Sequence, residues 1–178
     1  IFVCSLFSFY AAEAYLVYNK SSFKKDRLYE KNLNIKSKRY KIEYGKDFDR
    51  RSQNEVYKDL KKNEKKTAIS LFPNHYLKKK KIKIFPLSGI SNSKTITCNE
   101  NGYYANYLSD RYGFNNPDSE WDKKDIGYFL IGDSFTHGAC VDRPNDIASV
   151  LRKLSQRSVL NLGYGANGPL IEYATLRE

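Results

Sequence analysis

The sequence has no methionine, three cysteines, two histidines and a single tryptophan. Three cysteines are too few for a disulfide-dense secreted scaffold or a four-cysteine zinc site. Two histidines leave little room for a His-rich metal centre, and no metal or other cofactor is expected. Disorder is excluded by the opposite kind of count. Of all residues, 40% are hydrophobic and 15% aromatic, more than a chain unable to build a core carries. Position 1 is Ile within an apolar run, and Glu178 falls within a helical pattern. The chain is therefore expected to continue at both ends.

What is abundant is positive charge, and it is unevenly spread. The 178 residues carry a net +11. Residues 19–85 hold 22 Lys/Arg against 8 Asp/Glu, whereas residues 86–178 hold 9 against 11. The composition breaks near Phe85-Pro86. Basic excess can signal nucleic acid or an anionic surface. Heavy use of Lys, Asn, Ile, Tyr and Phe also fits a biased codon composition. The run Lys78-Lys-Lys-Lys-Ile-Lys83 resembles a localisation signal or nucleic-acid patch. No reader motif accompanies it, so a solvated loop is expected and no nucleic-acid partner.

Three segments follow. Residues 1–18 are nearly all apolar or small, with Glu13 the one charge. A spanning helix needs about 20 such residues, so a single-pass anchor is expected here. An extracytoplasmic domain beyond it is the expectation, with orientation left open because the basic flank Lys20, Lys24, Lys25 and Arg27 taken alone would keep that side cytoplasmic. A buried core helix and a cleaved signal peptide are the alternatives. Residues 19–85 form a mixed basic region. Within it, Tyr40–Tyr44 could be a short strand. Ser52 and Glu55 have capping-box spacing, so a helix is expected over 53–64. Thr67–Phe72 reads as a strand stopped by Pro73. Residues 86–178 form the third segment. In it, residues 93–109 read as a hairpin around Asn99-Glu-Asn-Gly102. The run Asp110–Asp118 is turn-rich, with Trp121 as its anchor.

From residue 126 the pattern becomes strand, helix, strand, helix. Gly127–Ile131 is a short apolar run of the kind buried on both faces. Ile147, Val150, Leu151 and Leu154 recur at helical spacing. Ser158–Leu162 is a second strand, and Pro169 opens a second helix. This order implies a parallel sheet with right-handed crossovers. Sites in such sheets lie at the carboxyl ends of the strands. Both glycine-containing loops fall there. Ser134 directly follows the first strand, placed to use backbone N–H groups against a developing oxyanion. Its frame, Gly132-Asp-Ser-Phe-Thr136, is neither a G-x-S-x-G elbow nor a P-loop.

Gly132-Asp-Ser-Phe-Thr-His-Gly138 after an apolar strand resembles the first block of the GDSL, or SGNH, hydrolases. Val159-Leu-Asn-Leu-Gly163 and the glycines after it resemble the second. Gly89–Asn92, Cys98–Glu100 and Asp110–Pro117 resemble a membrane-anchored bacterial branch of that superfamily. The resemblance implies an α/β, flavodoxin-like, three-layer parallel sheet, here partial. It implies a serine esterase or acyltransferase with Ser134 as nucleophile and its N–H as one oxyanion donor. Asp133 would order the loop. The family's second-block glycine falls at Ala166, next to Gly165. Alanine keeps the N–H but disfavours positive φ, so either register is open. Gly132, His137 and Asn167 are pocket candidates. An ester-bearing small molecule or a cell-envelope glycan is the implied substrate.

The family's third-block Asn and late Asp-x-x-His pair have no counterpart in residues 1–178. Without that base Ser134 is a weak nucleophile, and this stretch alone is expected to be inactive. His137 is close in sequence, but the family's base comes from elsewhere. His75 reads as a surface residue. In an oxidising compartment Cys98 and Cys140 would pair, tying the hairpin to the loop after Ser134; otherwise both are free thiols. Two other readings stay open. One is a non-catalytic, membrane-attached binding module on the same fold. The other is a dinucleotide site at Gly163-x-Gly165-x-x-Gly168.

Overall fold

The structure is a computed structural model that describes residues 2–76 and 84–178. The Lys78–Lys83 run lies outside the described residues. The chain divides into two compact units, 1–50 and 51–178, and the Phe85-Pro86 composition break falls inside the second.

The first unit is one long helix, α1 (Phe2–Tyr44). It includes the stretch Tyr40–Tyr44, for which a strand was the expectation. Tyr40 instead stacks one turn along on Tyr44, with centroids 4.9 Å apart, and meets Phe48 edge-on at 5.9 Å. Lys41–Asp47 and Arg50–Glu30 pair across the exposed surface at 2.7 and 3.0 Å, contacts of small energetic weight. The expected membrane anchor over residues 1–18 is corrected here. Among the described residues no helix is long and apolar enough to cross a membrane. The apolar stretch is interrupted by Ser5, Ser8 and Glu13, and the helix runs on into Lys20, Lys24 and Lys25. The single-pass localisation that rested on this anchor is withdrawn with it.

The second unit opens with α2 (Gln53–Asn63). Its capping box is formed as the spacing predicts. Glu55 N–H donates to Ser52 Oγ at 3.3 Å, and Ser52 N–H donates back to Glu55 Oε2 at 2.7 Å. That second bond holds the Glu55 carboxyl below its ordinary range. Val56 is the residue α2 buries.

Three strands of three residues follow: β1 (Thr67–Ile69), β2 (Lys94–Ile96) and β3 (Asn106–Leu108). β1 pairs parallel to β2, in register Ala68 with Thr95. β2 pairs antiparallel to β3, with Thr95 opposite Tyr107. The hairpin ladder continues toward its turn through Thr97 N–H to Ala105 O at 2.8 Å. A second sheet holds β4 (Tyr128–Leu130) and β5 (Val159–Asn161), parallel, with Phe129 opposite Leu160. Between and after them lie α3 (Ser134–His137), α4 (Ile147–Ser155) and α5 (Pro169–Arg177).

The expected flavodoxin-like three-layer parallel sheet is therefore overturned. The described residues form a three-stranded mixed sheet and a two-stranded parallel one. The physical reason shows on β4. A central parallel strand is covered on both faces, yet Tyr128 and Phe129 stay 39% and 55% exposed. In β5, by contrast, all three residues are buried. The core beside it is Phe114, Leu162 and Tyr164, with Trp121 and Ile131 packed against them.

Candidate active site

Because β4 and β5 run parallel, the loops that leave them emerge at the same carboxyl end. Their pairing outlasts the strands. Leu162 N–H donates to Leu130 O at 2.8 Å, and Tyr164 N–H to Gly132 O at 3.1 Å. The serine loop (132–138) and the glycine loop (163–168) are thus fastened side by side.

Thr136 explains why glycines stand at 132 and 163. A Cβ on Gly132 would collide with Thr136 Oγ1. One on Gly163 would lie 2.6 Å from Thr136 Cβ and 2.7 Å from the His137 nitrogen. The two loops close on this one side chain, and only residues without a Cβ permit it.

Ser134 is the first residue of α3 and is half-buried. Its Oγ donates to Asp133 Oδ1 at 3.2 Å. Asp133 itself is exposed and precedes the helix with no side-chain cap bond. Gly138 ends the helix in the left-handed region, at φ 72°. In the glycine loop, Gly165 faces the ring of Phe72 where a side chain would leave it. Ala166 is exposed and left-handed, at φ 58°. Asn167 is buried to 8% exposure, and neither its Oδ1 nor its Nδ2 has a hydrogen-bond partner.

Left-handed backbone costs a non-glycine residue about 1–2 kcal/mol. Ala166→Gly is therefore expected to raise the unfolding free energy by about 1 kcal/mol after glycine's extra chain entropy is subtracted. Thermal melting of the two proteins checks this, and an unchanged or lower midpoint would contradict it.

His137 is brought near Ser134 in sequence but not as its base. The ring is buried at 1% exposure. Nε2 is 3.0 Å from the Tyr107 hydroxyl, and the imidazole stacks on Tyr164 with centroids 4.6 Å apart. Nδ1 is buried without a partner. Burial pulls the imidazole from 6.5 down to about 4, so at neutral pH it is uncharged. Burial likewise pushes the Tyr107 and Tyr164 hydroxyls up. The consequence for stability has a definite sign. Between pH 6.5 and 4 the unfolded chain takes up a proton that the folded one refuses. His137 thus withdraws about 3 kcal/mol of stability as pH falls through that window, with none lost above it. Urea unfolding at pH 7 and pH 4 should show the fall. His137→Gln keeps a polar partner for Tyr107 and should flatten it. Equal slopes in both proteins would contradict the assignment.

Cys98 and Cys140 are joined as a disulfide. Cys140 follows the serine helix by three residues, and its carbonyl accepts from Asn101 Nδ2 at 3.2 Å. The hairpin turn and the serine loop are thus tied covalently and by a hydrogen bond. Among the described residues no group of three His, Cys, Asp or Glu could hold a metal ion.

The support beneath these loops is nearly silent in the sequence pattern. Asp110 is wholly buried. Its Oδ1 accepts from the N–H groups of Tyr112 and Phe114, both at 2.9 Å. Its Oδ2 accepts from Asn116 Nδ2 at 2.9 Å and Trp121 Nε1 at 2.8 Å. Asn115 Nδ2 donates to His137 O at 3.0 Å, which satisfies a carbonyl that the end of α3 leaves open. Arg152 reaches Asn116 Oδ1 at 2.7 Å and Val159 O at 2.6 Å. The one available signal was polar residues set within apolar surroundings: Asn161 in a buried strand, and Asp, Asn, Asn around Phe114.

The chain matches no family model, no curated protein and no solved structure.

Proposed function

We propose that this chain carries the nucleophile of a serine esterase or acyltransferase, with chemistry like that of the GDSL hydrolases. The observation that carries this reading is the placing of Ser134. It opens a helix at the carboxyl end of β4, and the ladder through Tyr164 N–H and Gly132 O sets the glycine loop of β5 alongside. Ser134 Oγ attacks the ester carbonyl carbon, and the carbonyl oxygen becomes an oxyanion. The N–H of Ser134, at a helix position with no intrahelical partner, is one donor to it. The N–H of Ala166 is the second. Its left-handed φ of 58° supports this position over Gly165, because it is where a glycine would be favoured. The alcohol leaves, and water or a sugar hydroxyl takes the acyl group from the serine.

The proton on Ser134 needs a base. His137 is engaged with Tyr107 and held neutral by burial, so it is not assigned that role. Asp133 accepts the serine hydroxyl in the resting state. The substrate class is an O-acyl ester on a small molecule or glycan.

The engagement of His137 also favours a second reading, a non-catalytic binding module that uses the same two loops. Hydrolysis of short-chain nitrophenyl esters by the intact protein separates the two. Ser134→Ala is expected to lower kcat/KM by at least about a thousandfold with the fold retained. No hydrolysis by the parent protein, or equal hydrolysis by the variant, would favour the binding module.

A further inference from the structure

One buried side chain holds both loops of the candidate site. Asn161 is the last residue of β5 and is fully buried among Leu160, Leu162 and Val159. A carboxamide there is costly unless every polar atom is paired. Here each is paired, and to a different loop. Nδ2 donates to Thr136 O in the serine helix at 2.6 Å, and Oδ1 accepts from Gly163 N–H in the glycine loop at 2.9 Å.

Thr136 O is one of the carbonyls that the end of a four-residue helix leaves open. Asn161 closes it from across the sheet. The asparagine is itself fixed from behind. Its N–H donates to Asn116 Oδ1 at 2.8 Å, and its carbonyl accepts from Asn116 Nδ2 at 2.9 Å. Asn116 in turn is held by the buried carboxylate of Asp110. Asn115, by contrast, bonds a carbonyl of the serine helix alone.

We infer that Asn161 is the positioning residue that sets the Ser134 turn against the glycine loop, and so sets the nucleophile against the backbone N–H groups that receive the oxyanion. The catalytic part of this inference rests on the esterase reading. The clamp between the two loops does not. Apolar residues of similar size would fill the space, but none would bond both loops. An aspartate keeps the shape and still accepts from Gly163 N–H, yet it turns an acceptor toward Thr136 O. Misplacing reacting groups by even 1 Å costs up to about a hundredfold in rate.

The test uses the intact protein, a fluorophosphonate probe and amide hydrogen exchange. Asn161→Asp is expected to slow the maximal labelling rate of Ser134 by about ten- to a hundredfold, with half-saturation changed by less than about threefold. Exchange should rise together in 132–138 and 163–168, while β2 and β3 keep their protection. Labelling within about twofold of the parent rate would overturn the inference. If the parent protein is not labelled at all, the esterase reading fails and exchange decides the clamp. A rise in both segments supports it; a rise in one alone overturns it. Should Asn161→Asp not fold, a through-hydrogen-bond coupling between the Asn161 side-chain amide and the Thr136 carbonyl is read in the parent protein. Its presence supports the clamp and its absence overturns it.

Discussion

Asp110→Ala is expected to destabilise the unit 51–178 by about 4 kcal/mol, enough to unfold a marginal domain. Four donors converge on one carboxylate: the N–H groups of Tyr112 and Phe114, the Asn116 amide and the Trp121 indole. Removing it strands buried donors, each of which costs about 1–3 kcal/mol when left unpaired. The effects do not add in full, since some donors find water as the loop opens. Asp110→Asn keeps the volume but turns an NH2 toward a donor, so about half the loss is expected. Trp121 is the single tryptophan and touches the mutated side chain. Its fluorescence during urea unfolding reads the result directly. A loss under about 1 kcal/mol for Asp110→Ala would show that the carboxylate is not the hub of this loop.

Replacing both Cys98 and Cys140 by serine is expected to cost about 4 kcal/mol on the chain-entropy account. The bond closes a sequence separation of 42 residues, and loops of that size gain most of their stabilisation by restricting the unfolded chain. Changing both residues avoids a free thiol. The disulfide spans the β2–β3 turn and the segment just after α3. The double variant should therefore also lose amide protection in residues 138–142 before β4 and β5 open. Reducing the parent protein should reproduce the shift. Equal unfolding midpoints in oxidised and reduced protein would remove the bond from the account of stability.

How much was legible in the sequence differs element by element. The α2 capping box could be read because Ser52 and Glu55 act locally, through bonds within one turn. The hairpin of β2 and β3 could be read for the same reason, from Asn-Gly at its turn. The parallel pairing of β4 with β5 followed from the strand–helix–strand order. The larger sheet did not follow, because an apolar run reports that a strand forms and not how many neighbours cover it. Tyr128 and Phe129 show this: both are apolar in pattern and both stand exposed. The reading of residues 1–18 as a membrane anchor failed on length and interruption. The helix of residues 2–44 is longer than its apolar part. Its continuation through Tyr40–Tyr44 was hidden because no side-chain stripe marks it.

At the site, Ser134, Gly132 and the glycine loop were legible as local motifs. Asp110, Asn116 and Asn161 were not, because their roles depend on contacts that reach as far as 45 residues along the chain. Ala166 was ambiguous on paper, since nothing in a sequence states a backbone angle. Its left-handed φ makes it the residue with something to gain from glycine.

Covalent capture asks whether Ser134 is the proposed nucleophile. The intact protein is treated with a fluorophosphonate, digested, and the adduct located by mass spectrometry. The expected result is one phosphonyl group on the Ser134 hydroxyl, absent after prior denaturation and absent in Ser134→Ala. An unlabelled protein, or an adduct on another side chain with Ser134 untouched, would contradict it.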